Sequence, residues 1–184
     1  MLGVAERFVS GRTIDRHKDF AMSQQGLQVT TPTDTTIVLT RTFNAPRRLV
    51  WEAMTTPDKM RRWMLPPPGW SLAVCECDAR VAGTLRLVWQ GEEAGQSMAL
   101  HGVFTETTLH ERMTHTEVML LGTGEPIGSQ VETHEFSEKG GVTTMRITQV
   151  YVSQEVRDCA VASGACPGME EGFKQLDKML AQTT

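Results

Sequence analysis

Hydrophobic and polar residues alternate along most of the chain beyond residue 70, as they do in strands that bury one face. An earlier segment at 35–43, TTIVLTRTF, is rich in β-branched residues and places Ile37, Leu39 and Phe43 on one face. The pattern predicts seven strands in an antiparallel meander, at 35–43, 71–78, 84–90, 99–109, 112–121, 130–137 and 142–152.

Two stretches with helical spacing interrupt this pattern directly after the first strand. In NAPRRLVWEAM, Pro46 is a start signal and apolar residues recur at 49, 50, 53 and 54. In TTPDKMRRWM, Thr56 and Pro57 suit the cap and the first helical position, while Met60 and Trp63 share a face. The sequence therefore predicts two short helices, the second ended by the PPPG at 66–69.

A longer helix is predicted at the end of the chain. A short helical segment at 155–164 precedes MEEGFKQLDKML, whose apolar stripe consists of Met169, Phe173, Leu176 and Leu180. One long amphipathic helix against one antiparallel sheet is an α+β architecture. A curved sheet around such a helix leaves a cavity between them. We assign residues 31–184 to this domain and predict that residues 1–30 form a flexible polar extension.

Composition narrows the class of function. The net charge of −4 and the lack of a dense basic block argue against binding to nucleic acid. No run of 18 apolar residues occurs, so no membrane-spanning helix is predicted. The four cysteines, at 75, 77, 159 and 166, form no C-x-x-C pair. We therefore expect no zinc site and no disulfide framework, and free thiols suit a reducing cytoplasm, where we place the protein.

Four stretches follow one another at natural spacing: RTFNAPRRLVWEAMTTPDKMRRWM, CECDARVAGTLRL, HGVFTETTLHERMTHTE and GMEEGFKQLDKMLA. Together they resemble the START-like (SRPBCC) helix-grip superfamily, and within it the branch named after the activator of the Hsp90 ATPase (AHSA-type). The similarity covers residues 34–182. The chain departs from the family pattern at Trp63-Met64-Leu65-Pro66, where W-W-G-P is usual, at Ala82, which replaces a glycine, and at Phe173, where tryptophan is frequent.

The resemblance implies a helix-grip fold, like that of the birch pollen allergen, with a pocket between helix and sheet. It also implies a lipid, polyketide or aromatic ligand, because members of the superfamily bind apolar small molecules and some catalyse cyclisation or hydrolysis. No cofactor and no metal ion are expected, since the sequence has no P-loop, dinucleotide fingerprint or H-E-x-x-H motif. A homodimer is possible, and the chain has no room for the additional domain of the co-chaperone that names the branch.

His115 and Glu117 are the catalytic candidates, because a histidine and a carboxylate two residues apart share one face of a strand and can move a proton. The commoner arrangement puts such a pair on the convex solvent face, and one register step reverses the faces. Seven residues are predicted to line the ligand cavity. For the large aromatics among them, the alternative is that they simply fill the core. The seven are Trp63, Trp89, Met119, Gln149, Tyr151, Met169 and Phe173.

Three functions remain open from the sequence. A binding protein needs a continuous pocket lined by these side chains. A cyclase or hydrolase needs two titratable groups that converge in the same cavity. A chaperone-interacting module needs an exposed apolar patch of several hundred Å².

Overall fold

The computed structural model describes residues 26–93, 95–122 and 124–183, and within them one curved antiparallel sheet carries four helices on its inner side. The helices are α1 (Arg47–Thr55), α2 (Pro57–Trp63), α3 (Gln154–Ala162) and α4 (Ala165–Ala181). The strands are β1 (Gln28–Thr33), β2 (Thr36–Phe43), β3 (Trp70–Cys77), β4 (Thr84–Gly91), β5 (Ser97–Thr108), β6 (Arg112–Leu121), β7 (Pro126–Lys139) and β8 (Val142–Tyr151).

The order of the strands explains why two helices follow β2. The sheet runs β1-β2-β8-β7-β6-β5-β4-β3, so β2 lies near one edge and β3 forms the other. The chain must therefore cross the full width of the sheet between them, and α1 and α2 make that crossing. On the way, Trp51 of α1 packs edge-on against Phe136 of β7, and α2 contacts both β3 and α4. The helical pair thus closes one end of the layer between sheet and α4.

The inner face of the sheet and the apolar stripe of α4 form the core. Ile37, Leu39 and Phe43 of β2 and Met145 and Ile147 of β8 are all buried. The stripe predicted for the last helix is also buried, except at one position: Phe173, Leu176 and Leu180 are in the core, whereas Met169 is half-buried. The predicted α+β class, the two short helices and the long C-terminal helix are confirmed.

One strand was missed. The sequence predicted seven strands, and the structure has an eighth, β1, which begins at Gln28 and therefore uses the last residues of the predicted extension. All six residues of β1 are exposed, because it is an edge strand that pairs only with β2. A strand without a buried face has no hydrophobic alternation to reveal it. The rest of the predicted extension, residues 1–25, lies outside the described residues.

A buried arginine fastens α4 to the sheet. Arg41 of β2 is only 2% exposed, and its Nε and Nη2 atoms lie 3.3 Å from Glu170 Oε2 and 2.5 Å from Asp177 Oδ2. The same Glu170 oxygen accepts a hydrogen bond of 3.0 Å from the backbone of Leu27. This ion network holds the helix where it covers the inner face.

We expect Arg41→Leu to lower the free energy of unfolding by roughly 2–3 kcal/mol, because two carboxylates lose their partner. The cost stays below that of a fully buried pair since Glu170 and Asp177 keep some contact with water. Urea denaturation measures it. Arg48→Leu is the control, because Arg48 makes an exposed ion pair with Glu52 and should cost less than about 0.5 kcal/mol. Equal losses in both variants would contradict the assignment.

No helix in the described ranges is long and apolar enough to cross a membrane.

Candidate functional site

Seven polar residues lie together on the inner face of three neighbouring strands. Alternate residues of a strand point to the same side, so each strand contributes residues two apart. The registers place His115 opposite Glu132, Glu132 opposite Gln149, and Gln130 opposite both Glu117 and Tyr151. We call this set the inner polar cluster: His115 and Glu117 of β6, Gln130, Glu132 and His134 of β7, and Gln149 and Tyr151 of β8.

Glu132 is the centre of the cluster. Its Oε1 lies 2.6 Å from His134 Nε2, and its Oε2 accepts hydrogen bonds from Gln149 Nε2 at 2.6 Å and from Gln130 Nε2 at 3.4 Å. Burial alone would raise the pKa of Glu132. The neighbouring His134 and the hydrogen bonds that Glu132 accepts from His134 and Gln149 outweigh burial and lower this pKa to about 2. Glu132 is therefore a buried carboxylate.

Glu117 is the opposite case, although it lies in the same cluster. Gln130 Nε2 donates a 2.6 Å hydrogen bond to Glu117 Oε2. Burial, and then the negative charge of Glu132, raise the pKa of Glu117 well above its ordinary value of 4.5. Two carboxyl groups whose environments push their pKa values apart are a pattern found where one group acts as an acid and the other stays ionised.

His115 is a buried and neutral imidazole. It is 2% exposed, lies edge-on to Phe104 and stacks on His134 with ring centroids 5.7 Å apart. Burial lowers its pKa to about 4. Its Nδ1 lies 3.5 Å from Glu117 Oε1 in a geometry that makes no hydrogen bond, and Nδ1 of His134 is likewise buried without a partner. Both rings therefore have one unsatisfied nitrogen.

Tyr151 is the half-buried member of the cluster and begins a chain of hydrogen bonds that leads inward. Its hydroxyl donates to Gln149 Oε1 at 3.0 Å, Gln149 Nε2 donates to Glu132, and Glu132 contacts His134. Burial raises the pKa of Tyr151, so the phenol keeps its proton. The result is a continuous hydrogen-bonded chain from the accessible tyrosine to the buried histidine.

The structure brings together four of the residues predicted from the sequence. His115, Glu117, Gln149 and Tyr151 all belong to the cluster, and the first two point inward rather than to the convex solvent face that the sequence favoured. The burial of both removes that alternative.

Three members of the cluster were missed: Gln130, Glu132 and His134. In QVETHEF, polar residues occur on both faces of the strand, so the alternation does not identify the inner one. The signal that could have identified the inner face is Phe136, a buried apolar residue on the same face of the strand as Gln130, Glu132 and His134.

The predicted apolar lining falls into two groups. Trp63 and Phe173 are buried and pack against each other with ring centroids 5.6 Å apart. Trp89, Met119 and Met169 are half-buried against the core, and Met119 follows Glu117 on the same face of β6. Their role as ligand contacts stays a prediction.

Within the described residues, three side chains with metal-ligating atoms also lie close together. One ring nitrogen of His115, one of His134 and one carboxylate oxygen of Glu132 lie within 4.8 Å of one another. The sequence predicted no metal site, because these ligands come from two different strands and form no local motif. The thiol of Cys77 offers no comparable chemistry, since burial raises its pKa to about 12.

Comparisons with known proteins agree with this fold. The model of a family described as activator of Hsp90 ATPase homolog 1-like protein matches residues 44–183. A crystal structure from Rhodobacter sphaeroides is similar, with 27% identity, a TM-score of 0.77 and coverage of 85% of this chain and 99% of that one. A search of curated proteins found no match.

Two further solved structures are similar over most of their length. A protein from Chromobacterium violaceum is 26% identical, with a TM-score of 0.63 and coverage of 80% of this chain and 98% of that one. A protein from Nitrosomonas europaea is 24% identical, with a TM-score of 0.69 and coverage of 83% and 98%, and supports the fold alone.

Proposed function

Because the chain belongs to the family of activator of Hsp90 ATPase homolog 1-like proteins, we propose that it binds a small, largely apolar molecule between the inner face of its sheet and α4. The ligand is of the lipid, polyketide or aromatic type. One observation carries the proposal: the inner polar cluster adjoins a half-buried apolar side chain on the same face of the sheet, Met119 beside Glu117. Small-molecule sites combine such an apolar surface with a few fixed polar groups.

The two parts of the site have different tasks. Apolar burial supplies the driving force, at about 25 cal/mol per Å² of apolar surface removed from water. The cluster supplies orientation, since Glu117 can donate from its protonated carboxyl group and Gln149 is already held by Glu132 and Tyr151. A ligand with one polar end would place that end against β6–β8 and its apolar body along Met119 and Trp89.

The proposal is tested first by native mass spectrometry of the full chain purified from its own host, where a bound small molecule is expected. The anionic dye anilinonaphthalene sulfonate then serves as a defined apolar probe. Met119→Gln should weaken binding of the dye about tenfold, because the amide must lose its water on contact with an apolar ligand.

Leu120→Gln is the matched control, because Leu120 is the next residue of the same strand and strand alternation places it on the opposite face from Met119. We expect it to leave the affinity for the dye unchanged. Equal weakening in both variants, or no saturable dye binding by the wild type, would argue against this site.

An enzyme that uses the same space is the alternative, and the observation in its favour is the inward orientation of His115 and Glu117 beside a charged Glu132. Neutral imidazole, protonated carboxyl group and carboxylate are the groups that general acid–base catalysis needs. Incubation of the co-purified molecule with fresh protein, followed by mass analysis, separates the two functions: an unchanged mass supports binding and a changed mass supports turnover. Contact with a chaperone stays a prediction.

A further inference from the structure

We propose that His115, Glu132 and His134 bind one divalent transition-metal ion, with Zn²⁺ the ion that the three ligands suit best. Two imidazoles and one carboxylate are a ligand set of catalytic zinc sites, which keep a fourth position open. Imidazole nitrogen also favours Zn²⁺, Cu²⁺, Ni²⁺ and Fe²⁺ over Mg²⁺ and Ca²⁺, which prefer oxygen ligands alone.

The first support is the geometry of the three side chains. They come from adjacent strands, with His115 directly opposite Glu132 and His134 two residues further along β7. Their ligand atoms lie within 4.8 Å of one another. Zinc bonds of about 2.0–2.1 Å place tetrahedral ligand atoms about 3.3 Å apart. The most widely separated pair of ligand atoms therefore needs to approach by about 1.5 Å or less to bind one ion.

The second support is independent of that distance and concerns hydrogen bonding. Nδ1 of His115 and Nδ1 of His134 are buried and have no hydrogen-bond partner. An orphaned buried polar atom is rare and costs free energy. Here it occurs twice, in two stacked rings whose centroids are 5.7 Å apart. At His115 a metal ion would satisfy this nitrogen by accepting its lone pair, whereas the nitrogen of His134 that faces Glu132 is Nε2, 2.6 Å from Glu132 Oε1.

The third support is the shell of groups around the ligands. Metal-bound residues are held by hydrogen bonds to their remaining polar atoms. Glu132 has such partners in Gln130 and Gln149, and Gln149 is in turn held by Tyr151. Glu117, 3.5 Å from His115 Nδ1, would lie beside the open position of the ion.

The test uses the full chain after treatment with a chelator. Calorimetric titration with Zn²⁺ should show one equivalent bound, and Co²⁺ should give the visible absorption of four-coordinate cobalt with nitrogen and oxygen ligands. His134→Gln and Glu132→Gln should each weaken Zn²⁺ binding at least about 100-fold, since loss of a direct ligand should exceed the 10–100-fold cost of losing a supporting partner. His101→Gln, at an exposed position of β5, is the control and should bind as the wild type does.

Three results would overturn the proposal: no saturable binding of Zn²⁺ or Co²⁺, unchanged affinity in His134→Gln, or a thiolate-to-cobalt charge-transfer band. If the variants do not fold, nitrogen NMR of the wild-type imidazoles decides. Zn²⁺ should then shift the ring nitrogens of His115 and His134 and leave those of His101 unmoved, and the reverse pattern contradicts the site. Metal uptake is measured without an organic ligand, so it does not rest on the proposed ligand-binding function.

Discussion

Trp63→Ala is expected to lower the free energy of unfolding by about 3–5 kcal/mol, the range found when a large aromatic side chain is removed from a core. Trp63 is 7% exposed at the end of α2, and its indole Nε1 donates a 2.9 Å hydrogen bond to the carbonyl of Ala53 in α1. Its ring lies against Phe173 of α4, and a Cβ at Gly172 would already contact it. One side chain thus joins three helices.

Urea denaturation of two further variants separates the causes of that loss. Trp63→Phe keeps an aromatic ring beside Phe173 but leaves the Ala53 carbonyl unpaired, so it should cost about 1–2 kcal/mol. Trp70→Ala is the control, because Trp70 is half-buried at the start of β3 and should cost less than Trp63→Ala. A loss of under about 1 kcal/mol in Trp63→Ala would mean that the indole does not support the helices and is free to serve as part of a pocket wall.

The elements with one apolar face were predictable from the sequence. The stripe of Phe173, Leu176 and Leu180 identified α4, and alternation identified the strands of the core, because burial of one face demands that period. The edge strand β1 was not predictable on this basis, since it is exposed along its whole length. Its position depends on backbone pairing with β2 and on the contact of Leu27 with Glu170, which are long-range facts.

The candidate site was predictable only in part, for a related reason. Polar residues in a buried place break the rule by which faces are recognised, so Glu132 and His134 look like residues of a solvent-exposed strand. Their burial is explained by side-chain pairing: His134 of the same strand and Gln149 of β8 hold Glu132, and Gln130 holds Glu117 of β6. A buried polar group is tolerable when such partners exist, and here they come from the same strand and from its two neighbours in the sheet.

The arrangement places two buried carboxyl groups with oppositely shifted pKa values in one cluster. Interaction with His134 lowers the pKa of Glu132, whereas burial and the charge of Glu132 raise the pKa of Glu117 well above 4.5. Such groups are not needed for stability, because replacing buried ionic groups by apolar residues of similar volume is often neutral or stabilising. The ligand orientation and metal binding that we propose would account for their presence here.

Glu117→Gln is accordingly expected to stabilise the chelator-treated protein above pH 4.5, by an amount that grows with pH. Well below pH 4.5, Glu117 is protonated in both the folded and the unfolded state. As the pH rises, the unfolded state releases the proton while the folded state keeps it, so the wild type loses up to about 1.4 kcal/mol of stability per pH unit. Glutamine cannot ionise and keeps an oxygen that can accept from Gln130.

The same experiment also measures the contribution of His115, whose effect on stability changes with pH in the opposite direction. Its pKa falls from 6.5 to about 4 on folding, so the unfolded state binds the proton first as the pH drops, and about 3 kcal/mol of stability is lost between pH 6.5 and pH 4. In the wild type the two effects oppose each other between pH 4.5 and 6.5. Urea denaturation at several pH values should therefore give a flatter profile for the wild type than for Glu117→Gln, with exposed Glu125→Gln matching the wild type. A Glu117→Gln effect that does not change with pH would show that Glu117 is ionised in the folded protein, and the division of charge between Glu117 and Glu132 would be wrong.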